Sequence, residues 1–119
     1  MIYLDDQRFR IEAGDYAGRP LTGLEFKIVH YLWEHPEVVR SRDQIMDACW
    51  KYEAGNGIYD RSVDGQIKRI RRKLAQHIGM NPIGVYYGVG YFFKETMKSS
   101  HPSSVIHYDF ERKANGVLL

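Results

Sequence analysis

From Asp60 to Gln76 the chain reads DRSVDGQIKRIRRKLAQ, and the apolar residues Val63, Ile67, Ile70 and Leu74 recur at steps of four, three and four. That spacing lines one face of an α-helix. The remaining surface is basic. Arg61, Lys68, Arg69, Arg71, Arg72 and Lys73 stand against one acid, Asp64, a local balance of +5. The whole chain is only +2, so everything outside this stretch sums to −3. The positive charge is therefore concentrated on one helix. A helix with an apolar seat and a cationic outer face suits the major groove of duplex DNA, where it can neutralise phosphates on both sides. A solvated helix face beside a core has the same composition, and the rest of the chain must choose between the two.

At 119 residues the chain has room for one small domain and a tail. Its hydrophobic content of 44% supports a packed core rather than disorder. Cys49 is the single cysteine, so no disulfide forms within one chain, and a buried small residue in a reducing compartment is expected. The opening MIYLDDQRFR brings charges at once, unlike a signal peptide, and no apolar run reaches the roughly 18 residues of a membrane span. A soluble, cytoplasmic protein is expected. HExxH, P-loop, GxSxG and paired CxxC patterns are all missing, and His30, His35, His77, His101 and His107 lack metal-ligand spacing. No enzyme, cofactor or metal site is expected.

In chain order, Ile2-Tyr3-Leu4 and Phe9-Arg10-Ile11 read as strands around the polar turn DDQR, followed by Gly14 and Gly18: a small antiparallel sheet. Thr22 and Glu25 form a capping box, and apolar Leu24, Ile28, Tyr31 and Leu32 carry helix one to about Glu34, ahead of Pro36. Ser41 and Gln44 form a second box that opens a short helix two, ending near Trp50, with Ile45, Ala48 and Cys49 on its apolar face. The loop Lys51 to Tyr59 holds Gly55, Asn56 and Gly57. Asp60 caps helix three, and Gly79 ends it with Pro82 just beyond. Ile83 to Tyr87 and Tyr91 to Lys94 then flank Gly88-Val89-Gly90 as a β-hairpin.

Strands, two helices, a basic helix and a hairpin make a winged helix-turn-helix. The sequence resembles the effector domain of OmpR/PhoB-type response regulators. The matching residues are LTGLEFKIVHYLWEHPEVVRSRDQIMDACW (Leu21 to Trp50), DRSVDGQIKRIRRKL (Asp60 to Leu74) and GVGYFF (Gly88 to Phe93). The run RDQIMDA and a tyrosine before GVGY look most like ChvI-type members. The resemblance implies an α+β fold: a four-stranded N-terminal antiparallel sheet, three helices and a C-terminal β-hairpin wing. It also implies sequence-specific binding to double-stranded promoter DNA as tandem copies, with transcription controlled by phosphorylation of a separate receiver domain; the chain is expected to be the effector half of such a two-component regulator or a stand-alone relative of one. A winged helix that binds protein rather than DNA is the alternative.

By match to the family motif, Arg61 and Ser62 contact phosphates at the start of helix three. Gly65, Gln66 and Arg69 meet base edges, and Lys68 and Arg72 hold the backbone on either side. Arginine can pair with guanine and glutamine with adenine, so the chemistry agrees. Trp50 matches a position whose indole N–H reaches the DNA backbone, with core packing as the rival reading. Tyr87 and Tyr91 add the wing. Arg71 and Lys73 are more readily read as solvated or paired with nearby acids. Three positions depart from the pattern. Gly65 replaces a side chain, Gln66 a common histidine, and Tyr87 an arginine that would favour a narrow minor groove. The loop Lys51 to Tyr59 corresponds to a segment that in this family can touch RNA polymerase, with a connector that has no partner as the equal alternative. The resemblance covers about residues 1 to 95, which sets a DNA-binding domain over 1–96 and a linker and tail over 97–119. In the tail, KSSHPSS reads as linker, and Val105 to Phe110 alternates like a strand that folds back on the N-terminal sheet or pairs with another copy of the chain, with a disordered tail as the alternative.

Overall fold

The computed structural model describes residues 1–50 and 60–102, with the backbone alone for 60–62. Strands β1 (Ile2–Asp5), β2 (Arg10–Ala13) and β3 (Tyr16–Gly18) form an antiparallel sheet in that order. Ile2 lies opposite Ala13 and Leu4 opposite Ile11, and all four side chains are buried on one face. The period-two pattern thus seats the sheet on the first helix. The first hairpin turns through Asp5, whose carboxylate accepts from the N–H groups of Gln7 and Arg8 at 3.1 and 3.2 Å. Phe9 was expected in the second strand. It takes a left-handed backbone (φ 55°) instead, which brings its ring edge-on to Phe26 at 5.4 Å.

The described part of this sheet has three strands, not the four implied by the resemblance. The chain leaves β3 through Arg19 and Pro20, and proline has no N–H to continue a ladder. The open edge of β1 is met from the other end of the domain. Lys98 bridges Ile2 in parallel, and the Ser99 N–H donates to the Ile2 carbonyl at 2.8 Å. The Lys98 ammonium donates to the Trp33 carbonyl at 2.9 Å and lies over the Trp33 ring. A short 3-10 turn, Glu95–Met97, leads the chain to this edge. Val105 to Phe110 lies outside the described residues.

Helix α1 (Gly23–Glu34) and helix α2 (Arg42–Cys49) begin where their capping boxes place them. The Glu25 N–H donates to Thr22 Oγ1 at 3.2 Å and the Thr22 N–H to Glu25 Oε1 at 2.9 Å. Ser41 and Gln44 repeat the exchange. The buried face of α1 is broader than expected. Phe26 and Val29 join Ile28 and Leu32 inside, while Leu24 and Tyr31 are only partly covered. In α2, Ile45 and Cys49 are buried and Ala48 is exposed. Burial pushes the Cys49 thiol up to about 12, so it is a packing residue and not a thiolate.

Helix α3 (Asp60–Ile78) ends at Gly79, whose φ of +68° supplies the left-handed cap. Val63, Ile67, Ile70 and Leu74 are all buried, at the positions the spacing assigned them. They close a core with Phe26, Leu32, Ile45, Ile83 and Phe93. Strands β4 (Ile83–Tyr86) and β5 (Gly90–Phe93) form the hairpin. Its base is tied to the segment before α2: Arg40 and Tyr91 exchange backbone hydrogen bonds of 2.8 and 2.9 Å. Gly90 is required there, because a Cβ would sit 2.0 Å from the Arg40 carbonyl oxygen. The GVGY spacing thus serves two needs: Gly88 turns the chain at φ +81° and Gly90 admits a neighbouring backbone.

Candidate nucleic-acid interface

With its apolar stripe inside, α3 turns Lys68, Arg69 and Arg72 outward, all exposed. Gly65 lies on the same side, and a Cβ built there meets nothing within 4 Å. Packing therefore does not explain this glycine, which leaves bare backbone at the centre of the cationic face. Gly65→Ala is expected to stabilise the fold by about 0.5–1 kcal/mol, the helix-propensity difference. Equilibrium denaturation checks this, and a loss of stability would mean the space is not free. Gln66 is half-buried. The side chains of Arg61 and Ser62 lie outside the described residues, as does the loop Lys51–Tyr59.

On one flank α3 is tied to α1 by Glu25, whose side chain is 2% exposed. Its carboxylate takes Lys73 Nζ at 2.7 Å and Arg69 Nε at 3.6 Å. Burial by itself would raise the pKa of this group. The Lys73 ammonium and the Thr22 cap outweigh burial and hold the carboxyl below its usual range. Arg69 thus stands half-exposed between an internal acid and solvent. Lys73 is a structural cation, and Arg71 donates to Asn81 Oδ1 at 3.3 Å.

On the other flank α3 meets the wing. Asp64 Oδ1 accepts from Arg42 Nε at 3.0 Å and from the Tyr91 hydroxyl at 2.5 Å. The Arg42 guanidinium, helped by Tyr91, holds the Asp64 carboxyl below the usual range against partial burial. Burial, then Asp64, pushes the Tyr91 phenol up to about 12. Beyond this tie the hairpin tip is open: Tyr87 is 88% exposed and Tyr86 and Val89 are exposed beside it. The groove between tip and helix is lined by Arg42, Lys68, Arg71 and Tyr87. Trp50 is 9% exposed and belongs to the core.

The ion pairs of Glu25 with Lys73 and Arg69, and the meeting of Arg42 and Tyr91 at Asp64, have no local signal in the sequence. Arg42 was visible only as the first helical residue after a cap. Asp64 was visible only as the odd acid in a basic run. Among the described residues no helix is long and apolar enough to cross a membrane.

A short α2, a cationic α3 and a hairpin wing that packs on α1 through β5 and bonds to α3 through Tyr91 define a winged helix-turn-helix domain. Residues 18–93 match the family described as "Transcriptional regulatory protein, C terminal", and the chain belongs to that family. It is 36% identical over 93 residues to the phosphate regulon transcriptional regulatory protein PhoB of Klebsiella pneumoniae, covering 76% of this chain and 38% of PhoB. It is 42% identical over 72 residues to the transcriptional regulatory protein CreB of Escherichia coli strain K12, covering 60% of this chain and 31% of CreB. The chain thus spans well under half of these relatives' length. The DNA-binding domain of the response regulator AdeR, solved in complex with an intercistronic region, superposes with a TM-score of 0.66 at 26% identity, covering 78% of this chain and 93% of that one.

Proposed function

We propose that the chain is a DNA-binding effector domain that lays α3 in the major groove of duplex DNA, with the β4–β5 wing on the flanking backbone, and so regulates transcription. The observation that carries this reading is the placement of charge. The apolar stripe of α3 is wholly inside, and the cations left outside share one face with a glycine that packing does not need. Family membership and the DNA complex of AdeR support it.

In this reading Arg61 and Ser62 sit at the N-terminus of α3, where backbone N–H groups also suit phosphate. Lys68 and Arg72 bind the backbone. Gly65 lets the helix approach closely, and Gln66 and Arg69 meet base edges. Tyr87, at the open tip, donates to a phosphate. Trp50 and Tyr91 act from beneath, Trp50 by packing under the surface and Tyr91 through Asp64. Tandem binding on DNA, control by a receiver domain, contact of the loop Lys51–Tyr59 with RNA polymerase and a cytoplasmic location belong to the same proposal.

The test is selection of preferred duplexes from a random pool, followed by binding measurements on two variants. Arg69→Ala is expected to cost about 1–3 kcal/mol on the selected site and to relax preference there. Lys68→Ala is expected to weaken selected and random duplexes alike. Equal effects of both changes on both duplexes would refute the assignment of faces.

A further inference from the structure

We propose that Asp64 is a positioning residue that fixes the wing against α3, and so sets the spacing between the two elements that meet DNA. The inference rests on the DNA-binding reading above. Its starting point is a charge in the wrong place. Between Arg61 and Lys73, Asp64 is the one acid among six cations, and it lines the groove between helix and wing. A carboxylate there repels phosphate and lowers affinity. Something else must account for it.

The geometry supplies the reason. One carboxylate oxygen takes a donor from each of two other elements. Arg42 Nε comes from the first residue of α2 at 3.0 Å, and the Tyr91 hydroxyl comes from β5 at 2.5 Å. Helix two, the basic helix and the wing therefore meet at a single atom. The base of the hairpin is held independently, by buried Ile83 and Phe93 and by the backbone exchange between Arg40 and Tyr91. The tip is not held in that way: Tyr86, Tyr87 and Val89 are exposed. Between the fixed base and the open tip, the Tyr91–Asp64 bond orients the hairpin toward α3. The tie is charge-assisted and short, the strong kind, and Tyr91 itself is partly covered. Asp64 also stands near the start of α3, where a negative charge is favourable to the helix.

This role and a simple charge effect predict opposite signs. The probe is a short fluorescent duplex of random sequence, titrated with the whole chain. Asp64→Ala removes a negative charge from the interface, so charge alone predicts tighter binding. A positioning role predicts weaker binding, by about fivefold, the equivalent of one hydrogen bond of about 1 kcal/mol. Tyr91→Phe is expected to lose a similar factor while leaving every charge in place. Asp64→Asn keeps an oxygen that accepts from both donors and is expected to restore binding to at least the original strength. The second arm needs no DNA. Amide exchange at Tyr86 to Tyr91 is expected to quicken in Asp64→Ala and Tyr91→Phe but not in Asp64→Asn, with exchange in α1 unchanged in all three.

Tighter binding by Asp64→Ala, or wing exchange unaltered by it, overturns the proposal. Faster exchange in α1 as well overturns it in favour of a general structural role. If the unaltered chain fails to bind the duplex, the DNA reading fails, and the exchange arm still decides whether Asp64 positions the wing.

Discussion

Replacing Lys73 by methionine is expected to destabilise the domain by roughly 3 kcal/mol at neutral pH, the lower part of the range for stranding a buried charge. The charge stranded is Glu25, 2% exposed, whose shortest ion pair is the 2.7 Å contact with Lys73. Thr22 and the more distant Arg69 would remain, which keeps the loss from the top of the range. The loss should also depend on pH. In the intact protein the Glu25 carboxyl is held below its unfolded value, so its contribution is complete above the unfolded pKa and fades as pH falls through the folded one. Protonation removes the charge that Lys73 compensates, so the variant and the parent should converge in acid. Urea denaturation at neutral and acid pH measures both effects. A loss under about 0.5 kcal/mol at neutral pH would contradict this account, and so would a loss that is the same at both.

The second large effect is expected at Ile70. Its side chain is fully buried, on the line of contact between α3 and the core formed by Phe26, Leu32 and Ile45. Truncation to alanine removes three carbons and leaves a cavity that three packed helices cannot collapse into, at a cost of about 2–5 kcal/mol. The same denaturation experiment reads it. A loss under about 0.5 kcal/mol would mean that α3 is rotated from the described orientation.

How much of this was legible beforehand follows from what each signal depends on. Capping boxes and the α3 stripe are local: they need only residues three or four apart, and both helix starts and all four buried positions of α3 stand where the sequence places them. Strand β3 lies within the strand-like stretch ahead of Thr22, but at three residues it is too short for a period-two pattern that would fix its bounds. Phe9 reads as a strand residue by type, but the turn needs its backbone left-handed. The fourth N-terminal strand came from the resemblance alone and is not among the described residues.

The site divides in the same way. The cationic face of α3 is a matter of periodicity and was legible. Glu25 was read only as a cap, because a carboxylate is rarely buried unless it has cations, and its cations lie 44 and 48 residues away at Arg69 and Lys73. Asp64 stands out in sequence as the lone acid of a basic run and Tyr91 as part of the wing, but nothing local links them to each other or to Arg42. Their meeting at one oxygen is a property of the tertiary arrangement.

The central claim is that the outward face of α3 binds DNA by neutralising phosphates. Its most direct test is the salt dependence of binding to a random duplex. With about four to six phosphates neutralised per chain, log K is expected to fall with log salt at a slope of roughly −4 to −5. A slope near zero, or no binding at low salt, would contradict the claim.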